Sequence, residues 1–181
     1  MLTPEGLEKE GAAAYKQGDY PASGHSYAAA AQAYDARNEP VRSAEMRNNS
    51  SVSWLQAGET ELALIAVEGT EAVFAAAGEK RLQAMAIGNK AAALDVLGRL
   101  DEAVVLYEQS AAILEEIGEG ELRAYILQAL SKIQFRTGRQ LEALATMQAG
   151  VEGIQRPSLR QKLLKRLLRI PMAGLGVQNK D

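Results

Sequence analysis

His25 is the only imidazole among the 181 residues, and there is no cysteine. An imidazole works as a general base or metal ligand only in company, and His25 has no second histidine and no nearby acidic cluster. The missing cysteines exclude disulfides, thiolate metal sites and cysteine nucleophiles. The carboxylate pairs Glu115–Glu116 and Glu119–Glu121 flank Gly118 and could gather around a cation. They lack the spaced ligands and central glycine of a calcium loop. No phosphate-binding glycine loop, nucleophile elbow or zinc-binding helix motif occurs. His25 is therefore expected as a surface or packing residue and the carboxylates as solvated helix ends. The chain is expected to be no enzyme and to need no cofactor and no metal.

What such a chain offers is surface, and its composition says which elements display it. Apolar residues reach 47% while aromatics reach only 5%, because alanine and leucine dominate. Alanine has the best helix propensity and lets helices approach closely, so the expected class is all-α. The net charge of −3 hides an asymmetry: residues 156–181 carry seven bases and one acid, which is +6 and leaves −9 for the residues before them. The opening MLTPEGLEKEG has no basic segment followed by an apolar stretch, so no signal peptide is expected. No apolar run approaches the roughly 20 residues that span a bilayer. The expected location is the cytoplasm.

Glycines set the organisation. Gly18, Gly58, Gly98 and Gly138 stand forty residues apart, and their surroundings are alike: YKQGDYPAS, WLQAGETELA, LDVLGRLDEA and FRTGRQLEA. A second set of turn signals, Asn38, Gly78 and Gly118, falls about halfway, with Pro157 near the place of a fourth. Each unit thus predicts two helices of about 16–18 residues joined by short turns. Side-chain size repeats as well. Small residues recur seven before each turn glycine (Gly11, Ser51, Ala91, Ser131), five after it (Ser23, Ala63, Ala103, Ala143) and twelve after it (Ala30, Thr70, Ser110, Gly150). Large ones recur nine after (Tyr27, Val67, Tyr107, Met147) and sixteen after (Tyr34, Phe74, Leu114, Ile154). Small sites permit close helix crossings, and large ones fill the space between layers. Thr3-Pro4-Glu5 reads as a helix start, and Pro40 and Pro157 fit first-turn positions. Trp54, four before its turn glycine, is expected in the core.

The segments YKQGDYPASGHSYAAAAQAY and NKAAALDVLGRLDEAVVLYEQSAAI resemble the tetratricopeptide repeat. That family has a small residue on its first helix, a glycine turn followed by an acid, then alanine, a large residue and alanine on the second helix. The forty-residue period resembles its longer-helix variants, and the resemblance spans roughly residues 3–155. It implies a right-handed superhelix, an α-solenoid of four antiparallel helix pairs, with the first helices lining a concave groove. It also implies that an asparagine nine before the turn glycine hydrogen-bonds the backbone of a bound peptide. Asn49 and Asn89 stand there. One amide both donates and accepts, which suits the task, and a contact between repeats is the other use open to these two side chains. Tyr15, Lys16, Leu55, Gln56, Gln128, Lys132, Phe135 and Arg136 would share the groove. Gln134 occupies a site that the family usually fills with an apolar residue.

The reading divides the chain into four repeats over 1–155 (about 3–39, 40–78, 79–118 and 119–155), a basic amphipathic helix over 156–170 and a flexible tail over 171–181. In the amphipathic segment Leu159, Leu163, Leu164, Leu167, Leu168 and Ile170 span about half the circumference, interrupted by Arg160, and Gln161, Lys162, Lys165, Arg166 and Arg169 cover the rest. Three uses are open to it: a cap over the last repeat, self-association into a homo-oligomer, or contact with an anionic membrane, for which it lacks an anchoring tryptophan or phenylalanine. Nucleic acid is not expected, because the −9 body repels phosphates and no aromatic platform accompanies the bases. The expected function is a scaffold or adaptor that holds a protein or peptide segment in the groove.

Overall fold

Thr3 opens the first helix as its sequence demands: its side chain accepts a hydrogen bond from the Gly6 N–H at 3.1 Å, with Pro4 at the first position and Glu5 in the first turn. In this computed structural model residues 3–154 and Lys162 are described. Nine helices and no strands occur among them: α1 (Pro4–Gln17), α2 (Tyr20–Ala36), α3 (Pro40–Ala57), α4 (Thr60–Val67), α5 (Thr70–Ala76), α6 (Lys80–Val96), α7 (Leu100–Glu116), α8 (Gly120–Arg136) and α9 (Gln140–Glu152). The expected segments 156–170 and 171–181 lie outside the described residues, Lys162 excepted.

Both sets of turn signals mark real helix ends. Gly18, Gly58, Gly98 and Gly138 have φ between 76 and 81°, and Asn38, Gly78 and Gly118 have φ of 58, 75 and 73°. In that left-handed region a Cβ is costly, which is why the period is written in glycine, with asparagine as the usual substitute. The amide following each of these residues turns back to the preceding helix, as when Asp19 N donates to Ala14 O at 3.0 Å. Asp19 also caps α2 by accepting from Ala22 N at 3.1 Å.

One element departs from the expected plan. The second helix of repeat two is not continuous, because α4 ends at Val67 and α5 begins at Thr70. Gly69 between them takes φ +76°, and Thr70 Oγ1 donates to Val67 O at 2.7 Å. The flanking acids Glu68 and Glu71 approach Lys90 of α6, at 3.0 and 4.0 Å. The same place in the other repeats holds Ala29, Gln109 and Ala149, so only here does the sequence supply a residue able to leave the helix.

The chain consists of two compact units, Met1–Glu119 and Gly120–Asp181. In the first, each helix packs on the next except α4, which packs on α3 and α6, and α3 also meets α5 and α6. Of the twenty residues at the five size-patterned sites of the whole period, all but the partly exposed Met147 are buried. Tyr27, Ala30, Ala31 and Tyr34 of α2 pack with Met46 of α3. Val67 and Phe74 pack with Ala44 and Ala86, and Trp54 packs with Ala63 and Ala93. The small sites admit these rings: a Cβ on Gly11 would stand 3.0 Å from the Tyr27 ring. Hydroxyls also occupy the interior. Ser23 Oγ donates to Gly11 O and shares a hydrogen bond with Ser53 Oγ, both at 2.9 Å, and Ser50 Oγ donates to Gly24 O at 2.9 Å. They satisfy backbone carbonyls where helices come closest, so burying them carries no unpaired-group penalty.

The second unit is a helix–turn–helix pair, α8 against α9. Leu130 and Ile133 of α8 and Ala143 and Val151 of α9 are buried. Gln134, at 4% exposure, buries its Oε1 without a hydrogen bond. Replacing it by methionine keeps the volume and removes the orphaned acceptor, so Gln134→Met is expected to raise stability by about 1 kcal/mol in thermal denaturation. A fall would mean that the amide is engaged after all.

Candidate functional site

The positions that the sequence singles out for a partner lie on the first helices α1, α3, α6 and α8. On α3, positions 42, 45, 49, 52 and 56 follow the helical period and lie on one side. Asn49 is half-buried there and Gln56 is exposed. Among the described residues no hydrogen bond engages the Asn49 amide.

Asn89 is placed differently. Its Nδ2 donates to Asn48 Oδ1 at 2.9 Å, which joins α6 to α3. Of the two uses open to this amide, the structure displays the contact between repeats. Its Oδ1 is left to accept elsewhere. Asn48, 5% exposed, is the partner that sequence reasoning passed over, although the adjacent Asn48-Asn49 pair was its signal. Leu55 also differs from expectation. It packs against the Trp54, Ala63 and Ala93 cluster, six positions from Asn49 and off its face. Tyr15 is half-buried, its ring edge-on to Tyr20 with centroids 5.3 Å apart, and Lys16 beside it is exposed.

In the second unit Gln128, Lys132, Phe135 and Arg136 are all exposed on α8, and Phe135 shows 62% of its surface. Gln128 lines a cleft of about 290 Å³ between α8 and α9, with Tyr125, Met147 and Ile154 among its walls.

Beside Asn49 the start of α3 holds a charged cluster. Arg42 donates to Glu8 and to Glu45, each at 2.7 Å, and to Tyr34 Oη at 3.3 Å, while Tyr34 Oη donates to Glu8 at 3.1 Å. The guanidinium lies 5.2 Å from the Tyr34 ring centre, a cation–π distance. The Tyr34 hydrogen bond and then the two carboxylates raise the Arg42 pKa against the opposing effect of burial. Burial, followed by the charge of Glu8, raises the Tyr27 phenol. This cluster, one guanidinium against two carboxylates, ties α1, α2 and α3 together.

Catalytic geometry does not assemble around the residues first singled out. His25 is exposed and stands edge-on to Trp54, with centroids 4.8 Å apart and planes at 89°. Trp54 itself is 7% exposed, so it is core as expected. Glu116 pairs with Lys80, and Glu119 with Arg81 at 3.1 Å. These are exposed ion pairs that bind α6 to the end of α7 weakly. No cluster of three or more His, Cys, Asp or Glu suited to a metal is found among the described residues, and none of their helices is long and apolar enough to cross a membrane. A further cleft of about 550 Å³, unforeseen from the sequence, opens in the first unit between α4, α6 and α7. Leu64, Leu94, Val105 and Leu106 form its apolar wall, and the Lys90–Glu68 pair sits at its edge. No family model matches this chain, and no curated protein is similar to it.

Proposed function

We propose that the chain is a tetratricopeptide-like scaffold of the cytoplasm, a right-handed superhelix of four helix pairs that holds a protein or peptide segment along its first helices. One observation carries the reading. The forty-residue size pattern is buried at nineteen of its twenty sites, as a stack of helix pairs requires, and Asn49, Gln56 and Phe135 on first helices lie off those sites. Asn49 offers both a donor and an acceptor to a passing backbone, Asn89 offers its Oδ1 as an acceptor, and Gln56 extends the polar strip on α3. On α8 the exposed Phe135 supplies an aromatic anchor beside Lys132, the kind of residue on which binding energy concentrates.

The test is a selection of peptides from a random library on the immobilised full chain. Asn49→Ala combined with Asn89→Ala is expected to weaken selected peptides about tenfold, the worth of two modest hydrogen bonds. Helicity by circular dichroism should stay unchanged. Failure to select any peptide sinks the proposal, and unchanged affinity in the double variant moves the site elsewhere on the molecule.

A further inference from the structure

The cleft between α8 and α9 has counterparts in the first unit, and there they are filled. Met147, Gly150 and Ile154 stand nine, twelve and sixteen residues after Gly138. In repeat one the same places are Tyr27, Ala30 and Tyr34, and Met46 of the following first helix, α3, packs on them. In repeat two they include Val67 and Phe74, covered by Ala86 of the following first helix, α6. On the other wall, Gln128 stands ten before its turn glycine, as Asn48 does, and Asn48 bonds Asn89 of α6. In both repeats the counterpart of the cleft is closed by the first helix that follows it in the chain.

The chain continues past it. After Ile154 come 27 further residues, and the forty-residue spacing of helix starts at Pro40, Lys80 and Gly120 points to the neighbourhood of residue 160. Pro157 stands three residues before that place, and a proline also opens α3 at Pro40. The leucines 159, 163, 164, 167 and 168 give an apolar half around Leu167, interrupted by Arg160 and opposite Lys165 and Arg169. Lys162, which belongs to the polar half, is helical and exposed. Glu121 at the cleft wall is an acid, opposite in sign to the basic segment.

We infer that residues 157–170 form a fifth first helix, seated by its leucine face in the α8–α9 cleft of its own chain. This covers the apolar end of the array, as repeat stacks require, without a second copy and without a membrane. It also turns Lys162, Lys165, Arg166 and Arg169 outward, which places most of the +6 segment on the surface rather than in a contact.

The cysteine-free sequence allows a direct test on the full chain. Gln128→Cys is combined either with Leu167→Cys, at the centre of the apolar half, or with Lys165→Cys, opposite it, and each pair is mildly oxidised. An intramolecular disulfide forming at least tenfold faster in the Leu167 pair is the expected result. Disulfide-linked dimers would assign the cleft to a second copy, and equal or absent cross-linking of both pairs would leave it without this occupant; either overturns the inference. Hydrogen exchange gives a check that does not depend on the cysteines. Leu163→Asp with Leu167→Asp is expected to speed exchange of α9 amides at least tenfold and to leave α1–α3 unchanged. Unchanged exchange in α9 overturns the inference as well.

Discussion

Phe74→Ala is expected to lower the unfolding free energy of the Met1–Glu119 unit by about 3–5 kcal/mol, the range for removing a fully buried phenylalanine. Phe74 has 0% exposure and lies where Ala44 of α3, Val67 of α4 and Ala86 of α6 converge, flanked by Val41, Val73 and Leu82. Its neighbours are small or short, so the cavity cannot close by the rotation of a larger side chain. The element it belongs to adds to the loss. α5 has seven residues, too few to persist as a helix without packing, and Phe74 is its one large buried side chain. Chemical denaturation followed by circular dichroism gives the number. A loss under about 1 kcal/mol would show that the site collapses or that α5 is held by other means.

Gly24→Ala is the second large effect, and it acts by crowding. A Cβ at position 24 would stand 2.6, 2.8 and 2.9 Å from three atoms of the Trp54 ring system, closer than carbon atoms approach. The ring cannot swing aside cheaply, because Trp54 is 7% exposed and its neighbours Ala63 and Ala93 are fully buried. The cost is expected at about 1–3 kcal/mol, accompanied by a change in the fluorescence of the single tryptophan. Replacing Trp54 by leucine in the same chain should recover part of it, since the two residues share one contact and their effects do not add. Strict additivity would place the strain somewhere other than that ring.

Glycine 24 also shows how far sequence reading reaches. The period singled out Gly11, Ser23 and Ala30 as small because four repeats agree on them. Gly24 answers to one tryptophan that occurs in one repeat, so no recurrence announced it. The same division runs through the rest of the molecule. The helix ends at Gly18, Gly58 and their successors and the buried rows at Tyr34, Phe74 and Leu114 were legible, because repetition averages away local accident. Features that belong to one repeat alone were not: the break at Gly69, the inward turn of Leu55 and the Asn48–Asn89 amide pair. For Asn89 the period gave the helix face. It could not tell that the neighbouring first helix would supply the partner of the amide, because Asn48 occurs in one repeat alone.

The left-handed residue between α4 and α5 bears on how the array can change length. In an unbroken helix an inserted residue rotates everything downstream by about 100° and tears every layer contact that follows. At Gly69 the backbone has already left the helix, so the phases of α4 and α5 are set separately, by Val67 on one side and by Phe74 on the other. An added residue there is taken up as slack in the bend. The bend in repeat two is thus a splice point within a second helix, a place where the spacing of forty can be altered and the repeats beyond it still keep step.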